Sequence, residues 1–357
     1  MKLSIIIPTR NRGVVLEKAL KSLLAQTLSQ EDFEVIVVDN GSTDNTFAVV
    51  NSLKANLKNI RYFLEPEPGL HVGRHKGCIE AKSNLLVYAD DDIEAFPTWL
   101  QAIEHSFHDE EVVMVGGKCL PKFEVEPPEW LNSMWSPNSS GERILGYLSV
   151  IDLGDDTKPV NPYNIFGCNL AIRRSVLLDA CGFHPDGMPQ ELIRFRGDGE
   201  SHVSKYVRTS GHKALYNPMA SIYHWVPADR MTTDYFCRRS YNQGISNSYT
   251  AIRNAKGVGS ESVMATSIKD FFQCLHSRSV CGVWGAASRI TRGTALHIKG
   301  QGSLAAMESS LRCDLAVAYH AGYAYHQTQV RESPELLAWV LKPDYWDGRL
   351  PSLDGAE

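Results

Sequence analysis

Leu3-Ser4-Ile5-Ile6-Ile7-Pro8 and, one helix further on, Glu34-Val35-Ile36-Val37-Val38-Asp39-Asn40-Gly41-Ser42 decide the fold. Each is a short apolar run that stops at a turn signal, Pro8 in the first and Asn40-Gly41 in the second. Apolar runs of this length without polar alternation suit strands buried on both faces, as in a parallel sheet. Between them Val14, Val15, Leu16, Ala19, Leu20, Leu23 and Leu24 recur at helical spacing and close a strand–helix–strand unit. The alternation continues with a helix over 44–57, a strand over 61–64, a helix over 75–81 and a strand over 85–89. Strands separated by helices predict a doubly wound α/β sheet, whose ligands bind at the carboxyl ends of the strands. Asp39 and Asp90 lie at two such ends.

Over 121–162 the pattern breaks into Pro-, Trp- and Gly-punctuated sequence, read as an irregular insertion or lid. Order returns over 164–173, with a helix over 200–210 and short strands over 214–216 and 221–223. After Pro227 the chain reads as mainly helical, most strongly over 231–253. The expected division is an α/β domain over 1–228, in halves 1–117 and 118–228, and a helical region over 229–357.

The 357 residues, 43% of them hydrophobic, are enough for a substantial core. A formal charge of −5 and a pI of about 6.2 argue against a protein that neutralises nucleic-acid phosphates. Eight scattered cysteines without a CxxC pair fit a reducing compartment. The apolar run after Met1-Lys2 is too short for a secretory signal core, and no apolar window is long enough to span a bilayer. The expected location is therefore cytoplasmic.

Tyr88-Ala89-Asp90-Asp91-Asp92 places three carboxylates at the end of an apolar strand. Adjacent anions repel, so they need a cation or water, and Mg²⁺ or Mn²⁺ bridging two phosphates is one solution. A solvated turn before a helix at Pro97 is the plainer reading. Asp39-Asn40-Gly41-Ser42-Thr43-Asp44 has the residues of a turn and helix cap, and Asp39 is also placed to accept from a nucleobase. Gly69-Leu70-His71-Val72-Gly73-Arg74-His75-Lys76-Gly77 reads as a glycine-punctuated turn into a helix, with amides and cations suited to a diphosphate. Arg196-Gly197-Asp198-Gly199-Glu200 puts two carboxylates at a helix start, as caps or as a general base. His224 closes a short strand; with Asp92 and a diphosphate it makes a donor set that suits Mn²⁺.

In this order the strings Ser4 to Arg12, Val37 to Thr46, Gly69 to Gly77, Asp90 to Asp92 with Pro97, Gly197 to Glu200, and Tyr216-Asn217-Pro218 with Tyr223-His224 resemble glycosyltransferase family 2. The resemblance covers residues 3–226 and implies a GT-A fold, a Rossmann-like, mostly parallel central sheet flanked by helices. It implies an inverting transfer of a sugar from a nucleotide-diphosphate donor, UDP being the family's commonest nucleotide, to a glycan or lipid-linked acceptor. Pro8, Thr9, Arg10, Asp39, Ser42 and Arg74 would then line the nucleotide pocket with Asp90 and Asp91. Asp90 and Asp92 would form the DxD element, Asp92 on the metal, with His224 as a third ligand to Mn²⁺ or Mg²⁺. The family's Glu-Asp pair is replaced here by Asp198-Gly199-Glu200. Counting back from Gly211 puts the base on Glu200, with Asp198 as the alternate. Gly167 and Asn169 match small residues beside the donor sugar and acceptor, and Trp130, Trp135 and Trp225 are candidate sugar platforms.

The resemblance gives no roles beyond about residue 230. Tyr235, Phe236, Arg238, Arg239, Tyr241 and Gln243 lie on a cation-bearing amphipathic helix. Phe271, Phe272, Val280, Val283 and Trp284, flanked by Arg278, Arg289 and Arg292, suggest a membrane-surface helix near a lipid-linked acceptor. A nucleotidyltransferase is disfavoured because Pro8-Thr9-Arg10-Asn11 lacks the glycine-rich turn such enzymes carry after the first strand. A non-catalytic homologue would have lost carboxylates that are present here as Asp90, Asp92 and Glu200.

Overall fold

The computed structural model describes residues 1–137, 142–257 and 304–351. Its central sheet has eight strands, in the order Lys158–Pro159, Lys213–Tyr216, Val112–Gly116, Asn169–Arg173, Leu85–Ala89, Leu3–Thr9, Phe33–Asp39, Ile60–Leu64. Neighbours pair in parallel except at the edge strand Lys158–Pro159 and at Asn169–Arg173, which is antiparallel to both its neighbours. This is the mostly parallel α/β sheet expected of a GT-A fold, followed by a helical C-terminal region.

Strands Leu3–Thr9 and Phe33–Asp39 are buried along their whole length. Their side chains alternate between two cores: Ile5, Ile7, Val35 and Val37 pack with Leu16 and Leu20, while Ile6, Ile36 and Val38 pack with Cys78 and Leu86. That two-sided burial is why the runs carry no polar alternation.

Two predicted segments differ from the structure. Helix Leu70–Glu80 starts five residues before the expected 75, so of the glycines read as a phosphate-binding turn only Gly69, at φ +123°, lies outside it. Gly73 and Gly77 are packing glycines: a Cβ at Gly77 would stand 2.2 Å from Ile6 Cγ2, and one at Gly73 would stand 2.7 Å from Asn40 Oδ1. The segment 121–162 is largely regular. It contributes strands to a second, six-stranded sheet in the order Ile93–Ala95, Ile222–Val226, Cys119–Phe123, Val150–Asp152, Arg143–Leu145, Ser136–Pro137. Strands of two or three residues between prolines and glycines are too short to show a periodicity.

In the C-terminal region, helices Thr233–Ala255 and Leu304–Glu332 cross at two glycines. A Cβ at Gly244 would meet Tyr319 O at 2.0 Å, and one at Gly322 would meet Tyr241 O at 2.0 Å. Helix Pro334–Val340 and the turn after it then dock on Leu70–Glu80. His75 Nδ1–H donates to Tyr345 O at 3.0 Å, Phe183 N–H donates to His75 Nε2 at 2.8 Å, and the Trp346 ring stacks 4.2 Å from His75. No described helix is long and apolar enough to cross a membrane. The residues read as a membrane-surface helix, 271–292, lie outside the described residues.

Gly244→Ala forces two backbones apart at the crossing and is expected to cost about 1–3 kcal/mol in urea unfolding. Burial lowers the imidazoles of His71 and His75 to about 3 and that of His326 to about 4. Unfolded histidines take up protons near pH 6.5 while these native ones stay neutral, so stability falls as pH drops below 6.5. Each histidine contributes roughly 1.4 kcal/mol per pH unit in that window. Urea midpoints at pH 7.5, 5.5 and 4.5 should fall progressively, and less steeply in His71→Leu; a flat series would show that these rings are not held neutral.

Candidate active site

The central sheet delivers three carboxylates to one end of strand Leu85–Ala89, and each meets a different partner. Asp91 accepts from Thr9 Oγ1 at 2.7 Å and pairs with Arg12 Nε at 3.2 Å. Burial still pushes its carboxyl up to about 7 against the pull of Arg12. Asp92 is buried and paired through Oδ2 with Arg12 Nη2 at 2.8 Å and Arg230 Nη1 at 3.1 Å. Burial disfavours its charge, but His224, Arg12 and Arg230 outweigh that and hold it well below the usual carboxylate range. Asp90, the most exposed of the three, faces Arg74 Nη2 at 3.6 Å.

His224 lies across from this cluster on strand Ile222–Val226. Its Nδ1–H donates to Leu148 O at 2.9 Å, which leaves Nε2 as the free ring nitrogen. Nε2 stands 3.1 Å from Asp92 Oδ1 but out of line for a hydrogen bond, so both atoms are buried without a hydrogen-bond partner. Burial opposes charge on this ring, yet the neighbouring Cys168, Asp92 and Asp90 push it up to about 9. Cys168, at 3.9 Å from Cys119 Sγ, has a thiol pushed well up by that contact and by burial.

Arg74 is the bridge to the other half of the site. Buried to 3% exposure, its guanidinium reaches Asp90 on one side and Glu200 Oε2, at 3.3 Å, on the other. It fits because residue 167 is glycine: a Cβ there would stand 2.3 Å from Arg74 Nη2. Glu200 opens helix Glu200–Thr209 and borders open space, whereas Asp198 is engaged on both oxygens, with His184 Nδ1 at 2.6 Å and Thr250 Oγ1 at 2.7 Å. Burial disfavours charge on Asp198, but its contacts with His184 and Thr250 bring its carboxyl below the ordinary value.

Three clefts meet along this line. One of about 270 Å³, lined by Pro8, Thr9, Arg10, Asn40, Asp90 and Asp92, lies at the strand ends. It shares Leu70 and Asp90 with a second of about 640 Å³, which holds Arg74, Gly167 and Asp198. A third of about 620 Å³ carries Tyr147, Phe166 and Tyr319 and joins the second at Tyr163, Glu200 and Arg239. Glu200 therefore stands where two clefts meet.

Residues 4–179 match the pattern described as glycosyl transferase family 2. The chain carries a family 2 glycosyltransferase domain. It is 40% identical over 103 residues to the validoxylamine A glucosyltransferase of Streptomyces hygroscopicus subsp. jinggangensis, 28% of this chain and 24% of that protein. It is 36% identical over 121 residues to the GalNAc(5)-diNAcBac-PP-undecaprenol beta-1,3-glucosyltransferase of Campylobacter jejuni, 33% of this chain and 38% of that protein. The matched stretches thus span well under half of these two relatives. A longer match, 22% identical over 257 residues, joins 69% of this chain to 76% of the glucosyl-dolichyl phosphate glucuronosyltransferase of Haloferax volcanii. Among solved structures, the mannosyltransferase PcManGT of Pyrobaculum calidifontis, in complex with GDP-Man and Mn²⁺, aligns over 98% of this chain and 88% of its own. The TM-score of that alignment is 0.49, at 20% identity.

Within the family 2 domain the structure gathers most of the predicted residues and separates a few. Pro8, Thr9, Arg10, Asp90, Asp91 and Asp92 line one cleft. Asp39 sits at its strand end, accepting from Tyr62 Oη and from Ser42 N–H, each at 2.7 Å. The Ser42 hydroxyl accepts from Asn11 N–H at 2.8 Å and joins the two loops. Asn169 is not a cleft residue: its amide is buried, accepting from Trp99 Nε1–H at 2.8 Å and donating to Ala220 O at 2.9 Å. Trp225 also misses the clefts, because it follows His224 on one strand and so faces the opposite way, under Lys18 Nζ at 4.8 Å. Trp130 is a core residue packed edge-on against Phe236, and Trp135 carries Arg143 over its ring. Arg12 and Arg230 were not singled out as site residues, and Cys168 entered only as the middle residue of Gly167-Cys168-Asn169. Arg12 was legible as a cation three residues after Thr9, but nothing local marks Arg230.

Proposed function

We propose that this protein transfers a sugar from a nucleotide-diphosphate donor, UDP-sugars being favoured, to a glycan or lipid-linked acceptor with inversion at the anomeric carbon. The observation that carries the reading is Arg74, which ties Asp90 at the strand end to Glu200 across one continuous cleft. Two of the similar proteins are named for undecaprenol- and dolichyl-linked substrates, which supports a lipid-linked acceptor and a place in surface-glycan or polysaccharide assembly.

Glu200 takes the proton from the acceptor hydroxyl as that oxygen attacks the anomeric carbon. Its place at a cleft junction suits a base that must reach an incoming acceptor, while Asp198, engaged by His184 and Thr250, positions the start of its helix. Arg74 holds Glu200 facing the cleft, and Asp39 and Ser42 receive the nucleoside. The 620 Å³ cleft, with Tyr147, Phe166 and Tyr319, takes the acceptor. A single displacement needs no carboxylate nucleophile.

The cluster also fits a divalent cation. Buried Asp92 Oδ1 and His224 Nε2 lack hydrogen-bond partners, and the carboxylate–imidazole set suits Mn²⁺ or Mg²⁺. Asp90 and His224, with Asp92 beside them, would hold the ion, which when bound neutralises charge on the departing diphosphate.

A screen of UDP-, GDP- and dTDP-sugars with Mn²⁺ or Mg²⁺ tests this by thermal shift and donor turnover. One donor should stabilise the protein only with metal present. Glu200→Gln should keep that shift and lower turnover by about 10²- to 10⁴-fold, whereas Asp90→Asn should lose the metal-dependent part of the shift. No response to any donor, or full turnover in Glu200→Gln, would overturn the reading. An equal loss in a stably folded Asp198→Asn would move the base to Asp198.

A further inference from the structure

Three side chains from separate parts of the chain converge beside the acidic cluster: Asp90 at the end of one strand, Cys168 just before another, and His224 within a third. One donor atom of each lies within 4.8 Å of the others. The expectation from sequence, an oxygen-rich site of Asp92, His224 and a diphosphate, left out the sulfur. Two observations support a ligand at this trio. The bond from His224 Nδ1–H to Leu148 O leaves Nε2 as the coordinating nitrogen, and that buried atom makes no aligned hydrogen bond, facing Asp92 Oδ1 at 3.1 Å. The Cys168 sulfur makes only the weak hydrogen bonds of a thiol, 3.8 Å to Ser149 O and 3.9 Å to Cys119 Sγ, which a bound cation could replace.

Carboxylate and water oxygens suit magnesium and manganese, whereas imidazole and thiolate together suit zinc and cobalt. We propose that Asp90, Cys168 and His224 form a mixed nitrogen, oxygen and sulfur site for a thiophilic divalent cation of the zinc or cobalt class. As the sulfur–metal bond forms, Cys168 releases its thiol proton to solvent and no redox change occurs. Zinc therefore competes with manganese or magnesium for one position. The inference rests on the reading of this cleft as a metal site and adds a ligand specific to this chain.

The test is cobalt titration of the full chain in a phosphine reductant, read by absorption. The wild-type protein should show sulfur-to-cobalt charge transfer in the near ultraviolet. Cys119→Ser should retain that absorption and Cys168→Ser should lose it, with cobalt affinity down at least the roughly tenfold that loss of an outer-shell partner costs. X-ray absorption at the zinc edge of the zinc-loaded wild type needs no variant and should show one sulfur at about 2.3 Å. A shell of nitrogen and oxygen alone, or charge transfer that persists in Cys168→Ser, would overturn the sulfur ligand and leave a manganese or magnesium site standing. Failure of cobalt, zinc and manganese alike to bind would overturn the metal reading itself.

Discussion

Three consecutive carboxylates stand at the end of one buried strand, and much of the molecule is arranged to make that tolerable. Asp91 and Asp92 are almost wholly buried, and an isolated buried carboxylate would be protonated rather than charged. Asp92 escapes this with two guanidiniums and an imidazole around it, supplied from distant parts of the chain: Arg12 from the loop after the first strand, Arg230 from the turn after Ile222–Val226, and His224 from that strand. Asp91 has Thr9 and Arg12 and stays high, near 7. The acidic cluster is thus a polar link between the two sheets, beside the apolar core they share.

The same constraint leaves Asp90 as the carboxylate that borders open space, and Arg74 links it to Glu200. Arg74 is far more buried than the two carboxylates it serves, and it depends on packing on every side. Gly167 makes room for its guanidinium, Phe183 lies 5.3 Å beneath it, and its helix is pressed onto the first strand through Gly73 and Gly77. The far side of that helix is covered by Tyr345 and Trp346, so the C-terminal segment buttresses the residue that joins the two halves of the site.

The first half of the fold was legible because its strands are long, doubly buried and separated by helices with clear apolar stripes. Strand Leu85–Ala89 was placed to the residue for that reason. The second sheet was not legible, since its short strands are held by pairing with distant partners and carry little pattern of their own. The glycines at 69, 73 and 77 show the ambiguity of composition: phosphate-binding turns and tightly packed helices both need a missing Cβ, and only the neighbours tell them apart. Trp225 was read as an aromatic sugar platform and Asn169 as matching a family position, but a strand sends adjacent side chains to opposite faces, and a buried amide is taken by its core partners. Glu200 and Asp198 could be separated only by what surrounds them: a carboxylate with both oxygens engaged is a positioning group, while one at a junction of clefts is open to chemistry.

Charge balance gives the last constraint. Arg12, Arg74, Arg196 and Arg230 face carboxylates, namely Asp91 and Asp92, Asp90 and Glu200, Asp186, and Asp92 respectively, while Arg10 and Arg239 also line the clefts. Lys205 donates to Asn254 at the rim. With four of its guanidiniums already matched, the site has Arg10 and Arg239 to meet a diphosphate and gains further counter-charge if a cation arrives with it. Under the proposed function a metal ion brings that charge, and His224 Nε2 and Asp92 Oδ1, which face each other at 3.1 Å without an aligned hydrogen bond, are the buried atoms whose desolvation it would offset. Donor and metal would then bind cooperatively, because each supplies the counter-charge that makes burial of the other favourable.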